Sequence, residues 1–408
     1  MSQGNADQAG PADGRAIRGS NQAGMRAHNE RLVLSLIRRH GATAKADIAR
    51  ATGLSAQTVS VIMRALESDG LLLRGEPVRG RVGQPSVPMA LAPDGAFFFG
   101  LKVGRRSLEL VLTNFLGQVV ARRQRTHGHP MPDDTMAFAR EAIDALLAEA
   151  PPRTRARVAG LGIAMPYLLW DWARALGVPQ AEMDRWRDTD LRADLAARYD
   201  FPVYLQNDAT AACGAELVFG QAGTPPDFLH FYIGYFIGGG VVLGGGLYPG
   251  ATGNAGALGS LPVPGPGPDG ESRQLLDVAS LAELESMLRA AGHDTTPMWR
   301  DPAQLALDRQ VMDRWVAQAA AGIAHAIAAA VAVIDFRAVL IDGWIPTELR
   351  ARLVAAVTGR LSRIDTAGLT LPEIREGTIG ADARVLGAAS LPLSERFLVE
   401  PNAFQKGG

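Results

Sequence analysis

The chain has 408 residues, of which 47% are hydrophobic and 20% charged, and its formal net charge is −1. That balance excludes a wholly disordered or collagen-like chain, and the length suits about two to three domains. A single cysteine, Cys213, excludes an intramolecular disulfide and any zinc site built from cysteines alone.

Residues 1–25 are polar and lack the apolar core of a signal peptide, so they read as a disordered arm. Residues 26–92 hold ten basic and five acidic side chains, a surplus of +5 that leaves −6 on the rest of the chain. A small basic module on an acidic body points to a polyanionic partner for that module. Within it, Leu32, Val33, Leu36 and Ile37 predict a helix over 29–39. Thr43 is positioned to cap a second helix over 44–51. After the turn Thr52-Gly53-Leu54, Ser55 caps a third helix with Val59, Ile62, Met63 and Leu66 on its inner face. Two short helices around a glycine turn form a helix-turn-helix. Two short strands at 71–73 and 87–91 flank a polar stretch and make the wing of a winged helix.

The outward face of the third helix carries Gln57, Ser60, Val61 and Arg64. Gln grips adenine and Arg grips guanine in the major groove of a double-stranded DNA operator. The wing offers Arg74, Arg79 and Arg81 beside Gly80 and Gly83, suited to phosphates or the minor groove.

Residues 93–395 read as strand and helix segments in a pattern that recurs. Strands fall at 97–103, 107–114 and 117–125, a helix at 134–148, and strands at 158–165 and 202–206 before a helix over 209–219. A second strand meander follows over 228–249, then helices over 275–291 and 308–334, a strand at 339–342 and a helix over 349–361. The repeat implies an α/β body of two lobes with a ligand cleft between them. The uncharged stretch 315–334 is interrupted by Gln318, Gly322 and His325, and reads as a buried helix rather than a membrane span. Residues 396–408 form a tail. The expected location is the cytoplasm, with no membrane contact.

Four segments carry a resemblance: Gly160-Leu161-Gly162-Ile163-Ala164-Met165-Pro166, Gln206-Asn207-Asp208-Ala209, Ile237-Gly238-Gly239-Gly240 and Gly253-Asn254-Ala255-Gly256. With the tail motif Gly387-Ala388-Ala389 they resemble the ROK family of repressors and sugar kinases, over about residues 29–393. The resemblance implies an actin/hexokinase-like ATPase-type fold of two lobes behind the winged helix-turn-helix. In the family's kinases, an aspartate in the first hairpin manages Mg²⁺ and phosphate. Lys102 stands there, with Arg105 and Arg106 in the turn, which reads as a solvated basic turn. The second phosphate loop is Gly234-Tyr235-Phe236-Ile237, where bulk replaces the small residues whose N–H groups would face an anion. The adenosine segment is Ile341-Asp342-Gly343-Trp344.

The resemblance therefore implies a body without kinase activity and without a cofactor. Asn207, Asp208 and Gly256 are the candidate ligand residues, because Asn207 and Asp208 match the pair that grips sugar hydroxyls; read alone, they are equally a helix cap. The remaining family contacts are replaced by Ala257, Ser260 and Ala282, and the zinc loop contains no Cys or His. The seven histidines show no metal spacing, so no metal site is expected. Trp170 and Trp172 read as interface or core packing. The reading is a DNA-binding regulator, a repressor of carbohydrate-related genes, controlled by a small-molecule effector of sugar type and acting as a homodimer or homotetramer. The alternatives are a sugar kinase with an accessory DNA domain, and a ligand-independent DNA-binding scaffold controlled by a protein partner.

Overall fold

The computed structural model describes residues 22–399 except 78–86, 222, 266–271 and 306–307. Helices α1 (Gln22–His40), α2 (Lys45–Thr52) and α3 (Ala56–Ser68) open the chain, followed by strands β1 (Leu72–Arg74) and β2 (Met89–Leu91). The first helix begins seven residues before the predicted start, because the apolar face that marks it in sequence occupies only its second half. Gly53 closes α2 at φ +69°, the left-handed position that glycine adopts without strain. Ser55 caps α3, accepting a hydrogen bond from the Thr58 N–H at 3.1 Å. Thr43 is not the cap of α2. Its backbone pairs with Met89 in both directions, at 3.0 and 2.9 Å, and so adds a third strand position to the wing, which leaves Ala44 as the cap residue.

The body contains two five-stranded sheets of the same construction. Strands β3 (Phe97–Val103), β4 (Ser107–Asn114) and β5 (Val119–Thr126) form an antiparallel meander. After helix α4 (Pro132–Glu149), strands β6 (Val158–Met165) and β7 (Val203–Asn207) add in parallel, giving the order β5-β4-β3-β6-β7. Helix α5 (Asp208–Phe219) leads to the second meander, β8 (Phe228–Ile233), β9 (Ile237–Leu243) and β10 (Gly246–Tyr248). Helices α6 (Leu281–Ala290) and α7 (Arg309–Val331) follow. Then come β11 (Ala338–Gly343), helix α8 (Thr347–Leu361) and β12 (Glu373–Glu376) in parallel, giving β10-β9-β8-β11-β12. Helix α7 is the segment read as buried, with Trp315, Ile323 and Ile327 fully enclosed in the second lobe's core. No helix among the described residues is long and apolar enough to cross a membrane.

The C-terminal helix α9 (Ala383–Phe397) packs against α5 and the first sheet. Glycines make that approach possible. A Cβ on Gly162 would sit 1.8 Å from the Ala388 carbonyl oxygen, and one on Gly387 would sit 1.9 Å from that of Ala211. Gly162→Ala is therefore expected to cost about 3 kcal/mol, the upper end of overpacking penalties. Gly359→Ala, in an exposed helix position with nothing within 4 Å, should instead stabilise by up to about 1 kcal/mol. Urea unfolding of both variants checks the contrast, and equal midpoints would refute it.

The winged helix is not suspended on a linker. One apolar cluster runs from Val33, Ile37, Val59 and Leu72 through Phe98 and Phe115 of the first lobe to Leu393 and Phe397 of α9. Arg38, counted in the module's positive charge, is half-buried in this seam. Its guanidinium donates to the Phe115 carbonyl at 2.6 Å, and burial pushes its pKa down to about 10. The Val399 N–H donates to Ser35 Oγ at 3.0 Å, so the chain beyond residue 395 is ordered against α1 up to the last described residue.

Candidate nucleic-acid interface and inter-lobe cleft

The amphipathic spacing of α3 turns Val59, Ile62, Met63 and Leu66 inward and leaves Gln57, Val61 and Arg64 exposed, with Ser60 half-buried. Arg64 Nε donates to the Ser60 carbonyl at 3.1 Å, one turn back, which lays the guanidinium along the exposed face. Arg74 is less free than its place in the wing implied. Its fork meets both carboxylate oxygens of Glu67, at 2.6 and 3.1 Å, and this pairing raises its pKa. Arg79, Arg81, Gly80 and Gly83 lie outside the described residues.

The cleft between the lobes differs from the solvated basic turn expected of the first hairpin. Lys102 and Arg105 are only 2% and 4% exposed. Lys102 points from β3 to Glu109 on β4, with Nζ to Oε2 at 2.8 Å, because the antiparallel register sets these two residues opposite one another. Burial draws the lysine's pKa down, and Glu109 pulls it the other way. The second oxygen of Glu109 meets Arg122 at 2.9 Å, and Arg122 reaches Asp382 at 2.6 Å.

Arg105 crosses from the first lobe into an aromatic box. Its guanidinium carbon lies 3.8 Å from the ring centroid of Trp172, 3.7 Å from Phe236 and 4.6 Å from Tyr235. None of its three nitrogens has a hydrogen-bond partner among the described residues, and burial lowers its pKa to about 9. Cation–π attraction compensates part of that desolvation. Tyr235 and Phe236 receive a cation from the facing hairpin and so join the two lobes in a clasp. Trp172 belongs to this clasp. Trp170 packs against the first lobe's core, with the Arg187 guanidinium 5.1 Å from its ring centroid. The space left among Lys102, Arg105, Arg106, Tyr235, Trp299, Trp344 and Arg384 is about 30 Å³, the share of one water molecule.

Asn207 ends β7 and caps α5, its side-chain oxygen accepting from the N–H groups of Ala209 at 3.0 Å and Thr210 at 3.2 Å. Asp208 pairs with Arg384 of α9 at 3.2 Å, and both side chains are mostly buried. The Arg384 guanidinium also lies 5.1 Å from the ring centroid of Tyr232, whose own pKa burial pushes up to about 12. Gly256, at φ +79°, lies against Gly240, where a Cβ would come within 2.7 Å of the Gly240 Cα. Gly240 in turn packs on Thr210 and Cys213 in the first half of α5, the helix that Asn207 caps. Arg384 was not singled out from sequence. It stands 176 positions from Asp208, and no local pattern connects them. A separate open groove of about 540 Å³ is lined by Phe236, Arg273, Asp277, Ala282 and Glu283.

Fold and site together define a DNA-binding winged helix docked on a two-lobed, hexokinase-like α/β body. The chain belongs to the ROK family, which residues 98–395 match, and residues 26–72 match the winged helix-turn-helix DNA-binding family. It is 27% identical over 384 residues to the uncharacterized protein y4fQ of Sinorhizobium fredii, covering 93% of this chain and 94% of that one. It is 25% identical over 249 residues to the xylose repressor of Bacillus subtilis, covering 61% of this chain and 64% of the repressor. The family also includes enzymes: the bifunctional NanE/NanK of Brucella melitensis is 33% identical over 211 residues, covering 50% of this chain and 38% of that enzyme. Among solved structures, the fold matches a ROK family transcriptional regulator, a homologue of the Escherichia coli MLC protein. The TM-score is 0.65 at 20% identity, covering 92% of this chain and 98% of that one.

Proposed function

We propose that this protein is a transcriptional repressor that binds duplex DNA through α3 and the wing, and whose body senses a sugar or sugar derivative without phosphorylating it. The Arg105 clasp supports this reading: a buried guanidinium enclosed by three aromatic rings stands at the loop that the family resemblance assigns to a kinase's second phosphate contact. Lys102, already paired with Glu109, stands where a kinase needs a carboxylate for Mg²⁺. The similarity to xylose repressors supports the effector class. The protein then acts in the cytoplasm, as a homo-oligomer whose paired winged helices read two half-sites.

Control is two-state. A ligand shifts the lobe equilibrium only through its differential affinity for the two states, with about 1–3 kcal/mol of coupling. Helix α9 touches α5, the first sheet and the winged-helix seam, so lobe movement reaches α1 through Phe397 and Arg38. Incubation with ATP and a panel of hexoses tests the non-enzymatic reading. No sugar-dependent ADP release above background is expected, and turnover would overturn it.

The Asp208–Arg384 pair supplies an acceptor and a donor for effector hydroxyls. Asp208→Asn should leave operator affinity without effector close to wild type. It should raise the effector concentration needed for release about ten- to a hundredfold, since hydrogen bonds to a charged group contribute about 1.5–3 kcal/mol each. Operator titrations of mutant and wild type, once an effector is found by thermal shift, decide it. Equal responses would make Asp208 a partner of Arg384 and nothing more.

A further inference from the structure

The seven histidines show no ligand spacing along the sequence, yet the fold carries one of them to two carboxylates. Glu216 on α5, His230 on β8 and Asp342 on β11 are all buried, at 2%, 0% and 0% exposure. One ligand atom from each lies within 4.8 Å of the others. Register explains the meeting. His230 pairs with Leu340 and Tyr232 with Asp342, so all four side chains share the sheet face that packs on α5.

The histidine is the unsettled member. Neither ring nitrogen has a hydrogen-bond partner among the described residues, although the side chain is fully enclosed. Leaving a buried polar group unsatisfied is costly, and each such case asks for an explanation. The carboxylates, in contrast, are already oriented by outer contacts. Glu216 accepts from the Thr378 N–H and hydroxyl, both at 2.8 Å. Asp342 accepts from the Gly380 N–H at 2.7 Å and from Arg350 at 2.9 Å. Each oxygen retains a free lone pair, and carboxylates held in this way are how metal sites are positioned.

Charge points the same way. Arg350 divides its guanidinium between Asp342 at 2.9 Å and Glu376 at 3.0 Å, while Glu216 has no ion-pair partner among the described residues. Around one ion with bonds of about 2.0–2.2 Å, ligand atoms sit roughly 3–4.4 Å apart, a spacing the three groups reach with small side-chain adjustments.

We infer that Glu216, His230 and Asp342 form a site for a divalent first-row transition cation such as Zn²⁺ or Mn²⁺, bound by one imidazole nitrogen and two carboxylates. This donor set of one nitrogen and two oxygens suits those ions. The site is distinct from the cysteine-rich zinc loop, which this chain lacks. It ties α5, the helix that starts at Asn207 and Asp208, to the central strands of the second lobe.

The test uses the full-length protein purified without chelator. Elemental analysis should find close to one equivalent of a divalent transition cation per chain. Chelator treatment should lower Tm, and Zn²⁺ or Mn²⁺ alone should restore it, by roughly 5 °C or more at about 100 times Kd. His230→Gln should retain less than about a tenth of the metal, whereas His325→Gln, at an exposed position of α7, should retain all of it. If His230→Gln does not fold, the chelation and restoration of the wild type still decide the matter. Wild-type protein without stoichiometric metal, and with no Tm response to either ion after chelation, would overturn the site. Full metal retention by His230→Gln would do the same.

Discussion

Raising salt from 50 to 200 mM is expected to weaken duplex binding roughly a thousandfold, if the protein neutralises about six phosphates. The exposed face of α3 beside a basic wing motivates this, and fluorescence anisotropy on an operator fragment measures it. Base-reading and phosphate-contacting side chains should separate. Gln57→Ala or Arg64→Ala should relax sequence preference at one position each, by about 1–3 kcal/mol. Arg81→Ala should weaken all duplexes alike and make the salt slope shallower. Arg74→Ala should have the smaller effect of the two wing arginines, because Glu67 already engages its fork. Absence of duplex binding at 50 mM salt would remove the DNA assignment.

Glu109→Ala should destabilise the body by about 3–5 kcal/mol, because it strands a buried lysine without its partner. The double change Lys102→Met with Glu109→Leu should recover most of that loss, since apolar groups of similar volume replace a buried pair at little cost. Urea unfolding at neutral pH reads both. The deficit of the single variant should shrink as pH rises toward the ordinary lysine value of 10.5. Burial lowers the folded pKa of Lys102 and Glu109 opposes this, so removing Glu109 lowers it further; between the two folded values the variant has shed a proton that the folded wild type still binds, and its stability gains on the wild type as pH rises. A pH-independent deficit, or no rescue in the double variant, would mean that Lys102 is not the group left exposed to the cost.

The local physics of the chain determined the elements. The inward stripe Val59, Ile62, Met63 and Leu66, the Ser55 cap and the Gly53 turn each act within a few residues, and they made the helix-turn-helix readable. The two strand meanders were readable for the same reason, because alternation and 3.6-residue periodicity repeat inside short windows. The family resemblance also set Lys102, Tyr235 and Phe236 at positions where the family's kinases carry an aspartate and small phosphate-loop residues. What those residues do was decided by the tertiary structure. Lys102 and Arg105 looked like a solvated turn until the second lobe closed over them. Arg38 was only one of the module's ten basic residues until α1 was seen seated on Phe115. The pairing of Asp208 with Arg384, and the meeting of Glu216, His230 and Asp342, join positions far apart in the chain through sheet register and helix packing. Such contacts leave no periodic trace, because the free energy of a buried charge depends on everything that surrounds it once the lobes have folded.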